Sequence, residues 1–204
     1  FRGQGIVTVG CARLRFKECK CQVGLRDTAN TIRDLEAIPG KLRDCRINLL
    51  LGDLYKRTNR WRNAVIAFKE ALVQAPHGIE IIEQLVSLGV DASEILTTLD
   101  EAFRHKDSGA LVADGWMHVL VAALVNKRNH ENEKSFTNFQ KLSVIYPKNP
   151  YILVHQTALC VRLEQVDQGM VLYRQVNCCQ LCKNQQFFYF IFFLVCILDS
   201  QRGS

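Results

Sequence analysis

An all-α solenoid of about five helix pairs is the fold class this sequence predicts, and three observations predict it. Apolar residues recur at helical spacing through most of the chain, and alternating strand-like runs are scarce. Turn signals break that pattern at intervals, dividing it into short helices that come in twos. The twos recur at about 34 residues, the length of one helix–turn–helix unit.

The elements follow in order. The spacing predicts antiparallel pairs over Phe16–Leu25 with Thr28–Ile38, and Cys45–Lys56 with Trp61–Gln74. It continues with Ile79–Leu88 and Ala92–His105, Leu111–Val125 and Glu133–Ile145, and Pro150–Leu163 and Gln165–Val176. Thr58-Asn59 breaks the second pair and Pro76-His77-Gly78 ends it. Asp91-Ala-Ser-Glu94 reads as a capping box, with Asp91 accepting an orphan amide and Glu94 reaching back. Lys127–Asn132 is a polar turn, and Pro147 ends the helix after it. Asn149-Pro150 opens the next, an amide cap followed by a proline whose missing N–H costs nothing at that position. The organisation expected is therefore an N-terminal segment, 1–15, truncated because the chain opens at Phe1; the solenoid, 16–176; and a non-repeat apolar tail, 177–204.

Residues 45–78 show the packing logic best. Ile47, Leu50, Leu51, Leu54 and Tyr55 form one apolar stripe; Ala64, Val65, Phe68, Ala71 and Leu72 form the facing one. Helices pack at about 8–10 Å, and the side chains at the contact set the distance. Gly52 and Ala64 permit close approach, Phe68 fills the space between the pair, and Tyr55 packs beside it with its hydroxyl expected to find water. Ala71 lets the next helix come near, and Pro76 stops the second helix.

These residues resemble a known family. Leu51, Gly52, Tyr55, Ala64, Phe68, Ala71 and Pro76 match the tetratricopeptide repeat at its signature positions and in register, with Asn48 standing where that repeat has tryptophan. The other units match less fully. Leu35 takes the aromatic slot of the first unit and Gln22 its tyrosine slot. The third unit lacks a small-residue register. The fourth keeps Trp116, Phe139 and Pro147. In the fifth, Tyr173 is kept, with Cys160 in the tyrosine slot and Gly169 in the small-residue slot. The order of Leu35-Glu36-Ala37-Ile38-Pro39, LLLGDLYKR, AFKEALVQAPHGIEIIEQLVSLGV and GWMHVLVAALV further resembles the N-terminal half of the subunit 7 family of the anaphase-promoting complex. That resemblance implies a right-handed superhelical fold. It also implies a non-catalytic scaffold role in a nuclear, multi-subunit ubiquitin ligase of the cell cycle. The partners it implies are other subunits of that complex and a second copy of the chain, joined through the N-terminal repeats.

Composition bounds the rest. The chain has 204 residues and a net charge of +6, and acids accompany the bases except in KRTNRWR, Lys56–Arg62, which reads as a solvated turn. Nine cysteines, an odd number absent from the central stretch, do not make a secreted disulfide framework and point to a reducing compartment, nuclear or cytosolic. Cys179-Gln-Leu-Cys182 lacks a second pair at zinc spacing, so no metal is expected. No phosphate-binding, zinc-hydrolase or nucleophile-elbow motif occurs. None of His77, His105, His118, His130 and His155 has a ligand-spaced partner; Cys160 lies on an apolar stripe, and Asp34 and Glu36 point to different helix faces. We therefore expect no catalytic residue, no cofactor and no enzyme.

Two other uses of such repeats fit the residues less well. A co-chaperone clamp for a terminal carboxylate would need basic or amide side chains where this chain has Leu49 and Asp53. An RNA-processing repeat would hold Asn, Ser, Asp or Thr at one recurring offset, which it does not, so no nucleic acid is expected. The tail contains Phe187–Leu198, twelve apolar residues that would span about 18 Å as a helix, too short for a bilayer core of about 30 Å. No membrane partner is expected. Lacking repeat register and a polar face, the tail reads as aberrant to the fold, the product of a retained intron or an incomplete gene model; an apolar helix covering the last unit is the alternative.

Overall fold

A computed structural model describes residues 9–24, 27–105 and 115–178. Among them regular structure is helical throughout, with no strand: α1 (Val9–Gly24), α2 (Thr28–Glu36), α3 (Cys45–Arg57), α4 (Trp61–Gln74), α5 (Ile79–Leu88), α6 (Ala92–His105), α7 (Gly115–Arg128), α8 (Asn132–Ile145), α9 (Pro150–Arg162) and α10 (Val166–Cys178). A single 3-10 turn, Gly40–Leu42, joins α2 to α3. The helices fall into two compact units, α1–α6 and α7–α10. The apolar run 187–198 and the CxxC at 179–182 lie outside the described residues, as do 1–8 and the expected start of the seventh helix at Leu111.

Local chemistry sets the helix ends. Asp44 accepts from the Ile47 amide at 2.9 Å and starts α3. Asn149 accepts from the Tyr151 amide at 3.0 Å and starts α9, with Pro150 in its first turn. The expected reach of Glu94 back to its own cap does not form; its carboxylate pairs instead with Lys69 of α4. A cross-helix ion pair competes directly with a capping box for the same carboxylate. Helix α1 begins at Val9, seven residues ahead of the Phe16 start read from spacing, because its first two turns are helical without an apolar stripe.

Turns inside the pairs share one geometry. Asn59, His130 and Glu164 all take the left-handed conformation, with φ of 59°, 61° and 58°. In each, the next residue's amide donates back five residues: Arg60 to the Tyr55 carbonyl at 2.8 Å, Glu131 to the Asn126 carbonyl at 2.9 Å and Gln165 to the Cys160 carbonyl at 2.9 Å. These are Schellman closures, which satisfy the last orphan carbonyls of a helix. Gly89 closes α5 the same way at φ 95°, with the Val90 amide donating to the Leu85 carbonyl at 3.2 Å.

Packing in the first unit is tightest between α3 and α4, and α1 pairs with α2. Helices α5 and α6 depart from the expected hairpin. Each packs chiefly on α4, and they barely touch each other. Ile79–Leu88 carries no Gly or Ala to let a partner helix approach; α6, which packs on α4, buries Ile95, Leu99 and Ala102. In the second unit, α7–α8 and α9–α10 form close pairs and α8 packs on α9.

Candidate functional site

The seven signature residues lie along the α3–α4 pair and just past it, and all are buried. Leu51 and Gly52 are buried on α3, and Ala64, Phe68 and Ala71 on α4. Tyr55 lies at the end of the α3 stripe and Pro76 is buried just past α4. A methyl group placed on Gly52 would lie 2.6 Å from Cε1 and Cζ of Phe68. The ring therefore occupies the space that a β-carbon would need, which is why this position takes glycine and why the helices nest. A fully buried phenylalanine contributes about 1.5–3 kcal/mol. Two expected stripe residues, Leu50 and Val65, are only half-buried, while Ala67 and Asn48 are buried in their place.

The same three-residue arrangement recurs with different chemistry. Counting from the ring slot, Gly52–Ala64–Phe68 corresponds to Cys19–Thr31–Leu35 in α1–α2, Ala123–Ser135–Phe139 in α7–α8 and Thr157–Gly169–Tyr173 in α9–α10. All of these are buried except Tyr173, which is half-buried. Where the small slot holds a hydroxyl, the hydroxyl is bonded. Ser135 Oγ donates 2.8 Å across to the Ala123 carbonyl on α7, and Thr157 Oγ1 donates 2.8 Å to the Leu153 carbonyl. In the last pair the β-carbon of Cys160 would sit 3.3 Å from one placed on Gly169. This register places Val119, not Trp116, in the tryptophan slot; the Trp116 ring instead meets Tyr146 edge-on at 5.8 Å.

Tyr55 corrects an expectation. Its hydroxyl is not left to water but donates 2.6 Å to Oε1 of Glu36, on α2. Burial, the hydrogen bond to Glu36 and the charge of Glu36 together push the phenol up to about 12. Arg43 holds the same corner, donating from Nε to the Ile38 carbonyl at 2.8 Å and from Nη2 to the Glu36 carbonyl at 3.0 Å. The tyrosine slot thus ties one helix pair to the previous one. Asn48, in the tryptophan slot, is 1% exposed, and neither amide atom has a protein hydrogen-bond partner among the described residues.

Several reactive side chains sit in the packing. Burial pushes the Cys160 thiol up to about 11 and also raises Cys19, where the charges of Asp34 and Glu18 add to it. Asp53 is raised by burial, against the lowering pull of Arg57 and Lys56. His155 stacks on Phe139 with ring centroids 4.9 Å apart, meets Tyr151 edge-on and has Nδ1 2.8 Å from Nζ of Lys127, so it bridges α7, α8 and α9. Among the described residues no cluster of three or more His, Cys, Asp or Glu is placed to hold a metal, and no helix is long and apolar enough to cross a membrane.

No known family profile matches the chain. It is 23% identical over 167 residues to anaphase-promoting complex subunit 7 of Arabidopsis thaliana, an alignment covering 80% of this chain and 30% of that protein. It is 33% identical over 82 residues to the human protein of the same name, covering 40% of this chain and 14% of that one. The Dictyostelium discoideum protein of that name is 23% identical over 146 residues, covering 69% and 25%. The chain thus spans less than a third of each of these relatives. In structure it is similar to a tetratricopeptide repeat protein from Parabacteroides merdae, with a TM-score of 0.65 at 12% identity over 99% of this chain and 76% of the other. That likeness establishes the all-α repeat fold.

Proposed function

We propose that this chain is a non-catalytic scaffold portion of an anaphase-promoting complex subunit 7 and serves protein assembly in cell-cycle control. The observation that carries the reading is the run of matches to subunit 7 proteins from a plant, an animal and an amoeba, one of them covering 80% of the chain. The repeat packing supports it. Small residues and rings are spent on nesting helices, and burial pushes the Cys160 thiol up to about 11. On this reading the partners are other subunits of the ligase, a second copy docks through the N-terminal repeats, and the protein works in the nucleus at mitosis.

The test is affinity purification of the endogenous protein carrying this sequence from dividing cells, followed by mass spectrometry. Recovery of several other subunits of the ligase supports the proposal. Recovery of the bait without them, in cells where the ligase is present, overturns the subunit reading.

A further inference from the structure

We propose that the α3–α4 turn is a docking surface for an acidic protein segment, one rich in aspartate and glutamate with an apolar side chain among them. The turn presents Arg57, Arg60 and Arg62, all exposed, around Trp61, whose side chain is 51% exposed at the first position of α4. None of the three arginines is ion-paired among the described residues. Of the acids nearby, Glu36 accepts the Tyr55 hydroxyl, and Asp53 is half-buried, its carboxyl raised by that burial against the lowering pull of Arg57 and Lys56. The exposed Arg57, Arg60 and Arg62 outnumber these acids, so the turn keeps a net positive charge.

The backbone beneath it is closed by the Schellman bonds and by Thr58 Oγ1, which donates 2.9 Å to the Leu54 carbonyl. A partner thus meets a preformed surface and pays little ordering cost. Guanidinium forks bind carboxylates in a bidentate way, and an exposed tryptophan flanked in sequence by exposed arginines has the composition of an interface hot spot. Arginine also pairs with phosphate, but single-stranded nucleic acid needs a succession of aromatic platforms along its path, and this turn offers one. An acidic protein segment is the better fit. The inference does not depend on which complex the chain joins.

The experiment is fluorescence anisotropy with the full chain and three labelled probes: a twelve-residue Asp/Glu peptide with one central leucine, its Asn/Gln counterpart, and oligothymidylate of equal length. The acidic peptide is expected to bind and to weaken as salt rises. The double variant R57E/R62E should weaken it by about tenfold or more, R57Q/R62Q by less, and Trp61→Ala by several-fold. K141E/K148E, a charge reversal on the second unit, should leave it unchanged. Circular dichroism confirms that each variant folds. Absence of acidic-peptide binding, equal binding of the Asn/Gln peptide, tighter binding of oligothymidylate, or insensitivity to the arginine and Trp61 variants would each overturn the proposal.

Discussion

Gly52→Ala should destabilise the protein even though alanine favours a helix over glycine by about 1 kcal/mol. The added methyl would lie 2.6 Å from the Phe68 ring, so either the ring or the helix must move. A net loss of about 1–3 kcal/mol in urea unfolding is expected. Asn48→Leu should act in the opposite direction. It replaces a buried amide lacking a protein partner with a side chain of similar size, and about 1 kcal/mol of added stability is expected in the same assay. Tyr55 makes stability depend on pH in the alkaline range. Its folded value, about 12, lies above the ordinary tyrosine value of 10.0. Its contribution is therefore fully present below pH 10 and is lost as pH rises through 12. The stability advantage of the native chain over Tyr55→Phe should shrink by on the order of 1 kcal/mol between pH 9 and pH 11. Little of this residue chemistry could be read from the sequence. The Gly52–Phe68 fit was legible because both residues are extreme in size. The Tyr55–Glu36 bond was not, because it joins residues nineteen apart whose side chains give no local sign of meeting.

The helices themselves were more legible than their contacts. Starts at Thr28, Cys45, Trp61, Ile79, Ala92 and Pro150 coincide with those read from apolar spacing and turn residues. Caps and turn residues act within a few positions and so leave a local signal. The small slots at Thr31, Ser135 and Thr157 left none, because a hydroxyl residue reads as surface until its donor is seen bonded to a helix carbonyl. Nor did the separation of α5 from α6, which follows from what α4 offers both of them. The shared turn geometry gives a prediction at this scale. Left-handed backbone costs a non-glycine residue about 1–2 kcal/mol. His130 is exposed and holds φ 61°, so His130→Gly should stabilise the protein by about 1 kcal/mol. Gly89, at φ 95°, should lose a similar amount on mutation to alanine. Thermal melts of the two variants should shift in opposite directions.

Among the described residues, some side chains that could carry chemistry are placed in the packing. Cys160 is buried with its thiol pushed up to about 11, and His155 lies between two aromatic rings beside Lys127. The exposed features are instead those of a surface, such as Trp61 and the arginines around it. Stacked pairs give such a protein extended faces on which partners can settle without any pocket closing. We propose that the chain acts as a helix-pair scaffold inside a larger assembly. Electron cryomicroscopy of the assembly purified through the endogenous protein tests it most directly. The account predicts a multi-subunit particle in which residues 45–78 form a close antiparallel pair with the Phe68 ring against Gly52. A chain that purifies alone, or density with α3 and α4 apart and Phe68 in solvent, would contradict it.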